Sequence, residues 1–248
     1  MDGLKTKQTS NALQSVVWNC MVRTLSLTAE EANAVRTGMG PAENAPPGSE
    51  LAKDDVFSEL RSPRILLQGW AAEQQVLGDG RRQIFRFVLP GDVFGLQMTP
   101  HASMANVTAV SAVTHAPLRL SSPLAEEGGP TPVFAKIADI LLAEFIRELQ
   151  NQVVRLGQLS AYERVAHLML ELYFRLDRVG LTKGLTFEMP LSQEILADAL
   201  GLSAVHTNRV LQKLRSDGLL EIQRNTYCLM DLRKLALIAD YGALRRPI

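Results

Sequence analysis

The stretch that most constrains the fold is Leu191–Gly218, LSQEILADALGLSAVHTNRVLQKLRSDG. It reads as two helices around a tight turn. Ser192 is a good N-cap, and Glu194 sits in the first turn, where the helix dipole favours negative charge. Ile195, Leu196, Ala199 and Leu200 form an apolar stripe. Gly201 stops the helix as a left-handed residue at its C-terminus. Ser203 caps a second helix, with Val205, Val210, Leu211 and Leu214 expected to face inward. His206, Thr207, Asn208, Arg209, Gln212, Lys213 and Arg215 are expected on the outward face.

This spacing is that of a helix-turn-helix, whose second helix enters a DNA major groove and offers its N-terminal residues to base edges. The flanks strengthen that reading. Asp217-Gly218 ends the second helix. Leu219–Leu229 then alternates around a polar Arg224-Asn225 tip, the pattern of a short β-hairpin, or wing. Upstream, Val165, Leu168, Met169, Leu172 and Leu176 mark an amphipathic helix over Tyr162–Leu176.

The run LSQEILADALGLSAVHTNRVLQKLRSDGLLEI is similar to the DNA-binding signature of the Crp/Fnr family of bacterial transcription regulators. GWAAEQQVLGDGRRQIFRFVLPGDVFGL, at Gly69–Leu96, resembles that family's sensory β-roll. The likeness covers roughly Arg64 to Asp231. It implies an α+β architecture: a jelly-roll-like β-roll of the cyclic-nucleotide-binding type, a long dimerisation helix and a C-terminal winged helix. It further implies duplex DNA with a palindromic site, a second copy of the chain and RNA polymerase as partners, with an effector the residues do not identify.

The expected division is an N-terminal segment over 1–49, a β-roll over 50–132, a dimerisation helix over 133–159 and a winged helix over 160–248. Thr28-Ala29-Glu30-Glu31 fits a capping box opening a helix to about Arg36. Gly38–Ser49 reads as a loop. Strand patterns follow at Arg64–Leu67, Gly69–Leu77 and Arg82–Leu89, with a Gly78-Asp79-Gly80 turn. Arg81 and Arg82 read as solvated charges at the tip. Two more short strands lie in Val107–Leu120, with Val107, Ala109, Val113 and Leu118 pointing inward.

Val133–Leu159 reads as a long helix. Ala138, Leu142, Phe145, Leu149, Gln152, Leu156 and Leu159 step by the alternating fours and threes of a coiled-coil seam, with Gln152 its polar member. Ile137, Leu141, Ile146 and Val153 supply a second apolar face, which equally suits a helix buried in its own domain. Gly157 is a candidate hinge.

For the chemistry of the surface, Arg209 is the leading base-reading residue, because its guanidinium fork matches guanine O6 and N7. The resemblance points to the same arginine; an exposed arginine pairing with Asp217 is the alternative. Ser203, His206, Thr207 and Asn208 are candidates for base or phosphate contacts. Ser192 and Gln193 open a helix whose free N–H groups suit a phosphate, and Lys213 and Arg224 are candidate backbone-positioning cations. Many family members carry Arg-Glu just after the cap. Here the pair is Ala204-Val205, so the best-known operator sequences do not transfer.

The β-roll departs from the nucleotide binders of this fold, which pair Gly-Glu with Arg-Ser-Ala to hold a cyclic phosphate. Gly95 is followed by Leu96-Gln97, and no arginine lies between Arg86 and Arg119; tight cyclic-nucleotide binding is not expected. Two cysteines, Cys20 and Cys228, cannot supply the four thiolates of an iron–sulfur cluster. Haem needs only one axial ligand, and His101 or His115 could serve, although lone histidines are commoner as surface or core residues. No resident cofactor, metal or enzyme motif is expected.

Formal net charge is zero, and the split is weak: residues 159–248 carry 12 Lys and Arg against 10 Asp and Glu, residues 1–158 carry 14 against 16. Any basic footprint must therefore be local. Neutrality and Ala204-Val205 also keep open a rival reading, a small-molecule sensor whose winged helix docks a protein. Apolar runs fall short of the ~20 residues of a membrane span, no export signal is apparent, and the cysteine usage suits a reducing cytoplasm.

Overall fold

The computed structural model describes residues 17–19, 21–22, 26–52, 63–95, 106–118 and 132–242, the side chains of 132–134 excepted. Cys20, His101, Arg119 and the segment after Gly95 that bears on cyclic-nucleotide binding lie outside the described residues. The chain divides into two compact units: Met1–Gln74 with Phe87–Arg147, and Gln75–Arg86 with Glu148–Ile248.

In the first unit, Thr28 caps helix α1 (Ala29–Gly38) and Glu31 closes the capping box. Two antiparallel sheets follow. One has the order β1 (Glu43–Ala45), β8 (Val113–Pro117), β3 (Arg64–Gln68), β6 (Val93–Phe94); the other runs β2 (Glu50–Ala52), β7 (Asn106–Ala109), β4 (Ala71–Val76), β5 (Arg82–Val88). Successive strand side chains point to opposite faces, and β3 shows the result. Ile65 and Leu67 join a core with Val35, Val93, Ala116, Leu118 and Ile137. Leu66 joins a second core with Ala71, Val88, Phe94, Val107, Ala109 and Val113. A strand buried on both faces must be apolar throughout, hence Ile65-Leu66-Leu67. The stretch expected to be a loop holds β1, whose three residues pair with β8 from Glu43↔His115 to Ala45↔Val113.

Helix α2 (Pro132–Gln158) runs unbroken through Gly157. Asp139, Ala143, Ile146, Arg147, Gln150, Val153, Val154 and Gly157 are exposed along it. Ile146 is 45% and Val153 71% accessible.

In the second unit, Ser160 and Glu163 form a capping box for α3 (Ala161–Arg178), whose residues from Val165 to Leu172 are all buried. Then come β9 (Thr182–Lys183), β10 (Thr186–Glu188), α4 (Gln193–Leu200), α5 (Ala204–Ser216), β11 (Leu220–Gln223), β12 (Thr226–Leu229) and α6 (Leu232–Ile238). The four strands form one antiparallel sheet, β11-β12-β10-β9. The β-roll strands, the long helix and the C-terminal helix-turn-helix with its wing make the mixed helix-and-sheet fold that the sequence leads one to expect. Among the described residues, no helix is long and apolar enough to cross a membrane.

Candidate nucleic-acid interface

Serine caps fix both helices of the motif. Ser192 Oγ accepts from Ile195 N, and Ser203 Oγ accepts from His206 N. Between them Gly201 adopts φ 63°, ψ 37°, the left-handed geometry that turns the chain sharply. Gly201 N and Leu202 N both donate to Ala197 O.

A helix leaves its last four carbonyls without internal partners. In α4 the remaining three are met by side chains. Gln83 Nε2 donates to Asp198 O at 3.1 Å, Gln152 Nε2 to Ala199 O at 2.7 Å and Arg164 Nη1 to Leu200 O at 3.2 Å. Gln152 also donates to Ile84 O at 3.1 Å. Arg82 grips the Asp198 carboxylate through Nε and Nη2, at 2.8 and 2.6 Å. Arg82 is therefore not a solvated tip charge, whereas Arg81 pairs with Asp79 in the open.

Below this clamp lies a buried polar cluster. Arg155 Nη1 donates to Gln152 Oε1, and its Nη2 to Glu171. Its Nη2 also lies 3.2 Å from His167 Nδ1. Burial, reinforced by the Arg155 charge, pushes His167 down to about 3. Glu148 pairs with Arg86 and Arg175. Burial would raise its carboxyl, but those two guanidiniums hold it below the usual range.

The seam expected on α2 needs correcting at Gln152. That side chain is only 5% exposed and is spent on partners within its own chain, so it cannot face a second copy. Ala138, Leu142, Phe145, Leu149, Leu156 and Leu159 are half-buried.

On α5, Thr207, Val210, Leu211 and Leu214 form the buried stripe. Two expectations exchange places. Thr207 is 0% exposed, which puts it out of reach of any ligand, and Val205 is 64% exposed. The helical period explains both: Thr207 is three and four residues from Val210 and Leu211, and Val205 sits about 200° round the helix from Thr207. His206, Arg209, Gln212, Lys213 and Arg215 are exposed, Asn208 half-buried.

Asp217 accepts from Lys213 Nζ at 2.6 Å and from Tyr162 OH at 2.7 Å. Those bonds hold the Asp217 carboxyl below its usual range, and burial with the Asp217 bond takes the Tyr162 hydroxyl up to about 12. Asp217 is thus occupied, and among the described residues Arg209 makes no ion pair. Ser160, Ser203, Val205, His206, Arg209 and Lys213 line one open groove. The wing pairs Leu220↔Leu229 through Gln223↔Thr226, and Arg224 at its tip is exposed with φ 56°. Ser192 and Gln193 are exposed at the start of α4.

His115 sits in the first unit, where its Nδ1 faces Arg64 Nε at 3.0 Å and its ring packs edge-on to Phe94. Cys228 lies half-buried in β12. Among the described residues, no three His, Cys, Asp or Glu side chains group to hold a metal ion.

Residues 163–238 match the model of the Crp-like helix-turn-helix domain. The nitrogen fixation regulation protein FixK of Azorhizobium caulinodans is 28% identical over 198 residues, 80% of this chain and 75% of that protein. The transcriptional activatory protein AadR of Rhodopseudomonas palustris is 29% identical over 234 residues, 89% of this chain and 92% of that protein. The structure of FixK2 from Bradyrhizobium japonicum superposes with a TM-score of 0.70 at 26% identity, covering 80% of this chain and 96% of that one. Fold, helix-turn-helix geometry and relatives agree: residues 163–238 form a Crp-like helix-turn-helix domain, and the chain around it is similar to transcription regulators of the Crp/Fnr family.

Proposed function

We propose that the protein is a homodimeric regulator, working in the cytoplasm, that reads a palindromic duplex with one α5 helix per half-site. Residues 50–132 act as sensor, 133–159 as dimerisation helix and 160–248 as DNA-binding domain. The observation that carries the reading is Arg209: exposed, one turn into the outward face of α5, and with Asp217 already taken by Lys213 and Tyr162. A free guanidinium fork there suits guanine O6 and N7. His206 and Asn208 flank it as base or phosphate contacts. Ser192, Gln193, Lys213, Arg224 and the capping Ser203 serve the phosphates. RNA polymerase is a further partner in this reading.

The dimer seam is re-centred on Ile146 and Val153, two of the exposed apolar residues of α2. Leu142, Ile146, Leu149, Val153 and Leu156 keep the 4-3-4-3 spacing of a coiled coil and are all apolar. They support pairing of two α2 helices better than a seam through Gln152.

The β-roll does not take a cyclic nucleotide. Gly95 is followed by Leu96-Gln97 where an acid is needed, and the sequence from Phe87 to Leu118 contains no arginine. A cyclic phosphate therefore has no guanidinium partner in that stretch. Titration with cyclic AMP checks this, with no heat of binding expected.

The main test is enrichment of duplexes from a randomised pool, followed by binding at fixed salt. Arg209→Ala is expected to weaken the enriched site by about 1–3 kcal/mol and relax one base position. Unchanged affinity and base preference would overturn the assignment. Wild-type affinity should also fall steeply as salt rises, which a winged helix docking a protein would not require.

A further inference from the structure

Val205 breaks the chemistry of its surroundings. The other exposed residues of α5 are His206, Arg209, Gln212, Lys213, Arg215 and Ser216, all polar. Val205 is apolar, and it is 64% exposed. It lies in the first turn, just after the Ser203 cap, where a recognition helix comes closest to base edges. It is four residues from Arg209, so the two side chains share one stripe, and both line the same groove with Ser203 and His206.

We propose that Val205 is a specificity-determining residue that reads the C5-methyl group of a thymine, within two base pairs of the guanine read by Arg209. The inference rests on the DNA-binding reading above. A valine has no hydrogen-bonding group, so the one base-edge feature it complements is the thymine methyl in the major groove. As a β-branched residue in a helix it is held to one preferred rotamer, so its methyls are presented with little side-chain freedom left to lose. Four residues of helix advance about 6 Å, roughly two base-pair rises of ~3.4 Å. Ala204 beside it is too short to intervene.

The test uses the full chain and the duplexes it enriches from a randomised pool. Each thymine is replaced by uracil, symmetrically in both half-sites, which removes the methyl and nothing else. One position, within two pairs of the guanine whose preference Arg209→Ala abolishes, is expected to lose about fourfold in affinity per methyl, the value of one buried CH2 group. Val205→Ala, an exposed change to a better helix former, is expected to bind the thymine and uracil duplexes equally while keeping the guanine preference. Uracil tolerated at every position, or a thymine–uracil gap that survives Val205→Ala, overturns the proposal and turns Val205 into a surface for some other partner. If no duplex is enriched at all, the DNA reading fails first and takes this one with it.

Discussion

The side-chain amide of Gln152 donates to the carbonyl of Ala199 across 47 positions of sequence, at 2.7 Å. It thereby fastens the long helix to the last turn before the recognition helix. Its second bond, to Ile84 O, ties in the β4–β5 hairpin end that folds with the same unit.

Gln152→Leu separates a clamp from a coiled-coil seam. In a seam, leucine would strengthen association. In a clamp, it strands two buried carbonyls and an Arg155 donor, each costing about 1–3 kcal/mol. We expect a loss of about 3 kcal/mol or more in unfolding free energy by denaturant titration, with no gain in dimer affinity.

Thr207→Val keeps the β-branch and deletes a buried hydroxyl that has no hydrogen-bond partner. It should raise stability by about 1 kcal/mol and leave DNA affinity unchanged. Weakened binding by a well-folded Thr207→Val protein would contradict the inward placement of this side chain.

Acid should weaken the second unit through His167. Its folded pKa, about 3, lies below the unfolded value near 6.5, so the unfolded chain binds the extra proton between those limits. Stability is therefore lost as pH falls through that window, by up to about 1.4 kcal/mol per pH unit. Glu148, also held low, adds in the same direction below its ordinary range. Denaturant titrations from neutral to mildly acid pH should show the slope, and His167→Gln should flatten the part above the carboxylate range.

Gly201 and Gly218 offer a matched pair. Both have φ above 60°, but a Cβ at Gly201 would meet Leu156 at 3.2 Å and Arg164 at 3.7 Å, while one at Gly218 would meet nothing within 4 Å. Gly218→Ala should cost about 1 kcal/mol from backbone strain alone. Gly201→Ala should cost more, and should also weaken DNA binding because the start of α5 must shift; thermal melts and binding assays read both.

Ile146→Glu and Val153→Glu, each exposed in the single chain, should leave the folded unit intact and shift sedimentation toward monomer. A dimer indifferent to both would remove the seam.

Much of this architecture is legible in the sequence. Serine caps, Gly201 and the Arg224-Asn225 tip announce themselves because local backbone chemistry demands those residues. The inward strand positions Val107, Ala109, Val113 and Leu118 follow from alternation and hydropathy. The sequence misleads where polarity and phase disagree. Threonine reads as surface and valine as core, yet the spacing 207-210-211-214 already holds the true inward stripe. Gln152 and Arg82 mislead for another reason: their partners, at 84, 198 and 199, are remote in sequence, and nothing local marks a side chain as capping a distant helix. β1 and β9 are two or three residues long, too short for any period to register.

The clamp around α4 has a consequence for dissecting this regulator. A fragment trimmed to residues 160–248 would discard Gln83 and Gln152 and open the end of the helix that aims α5. By the same logic, a genetic screen for regulators that no longer hold their operator should return substitutions at positions 82, 83 and 152, whose side chains grip α4 and lie outside the recognition helix.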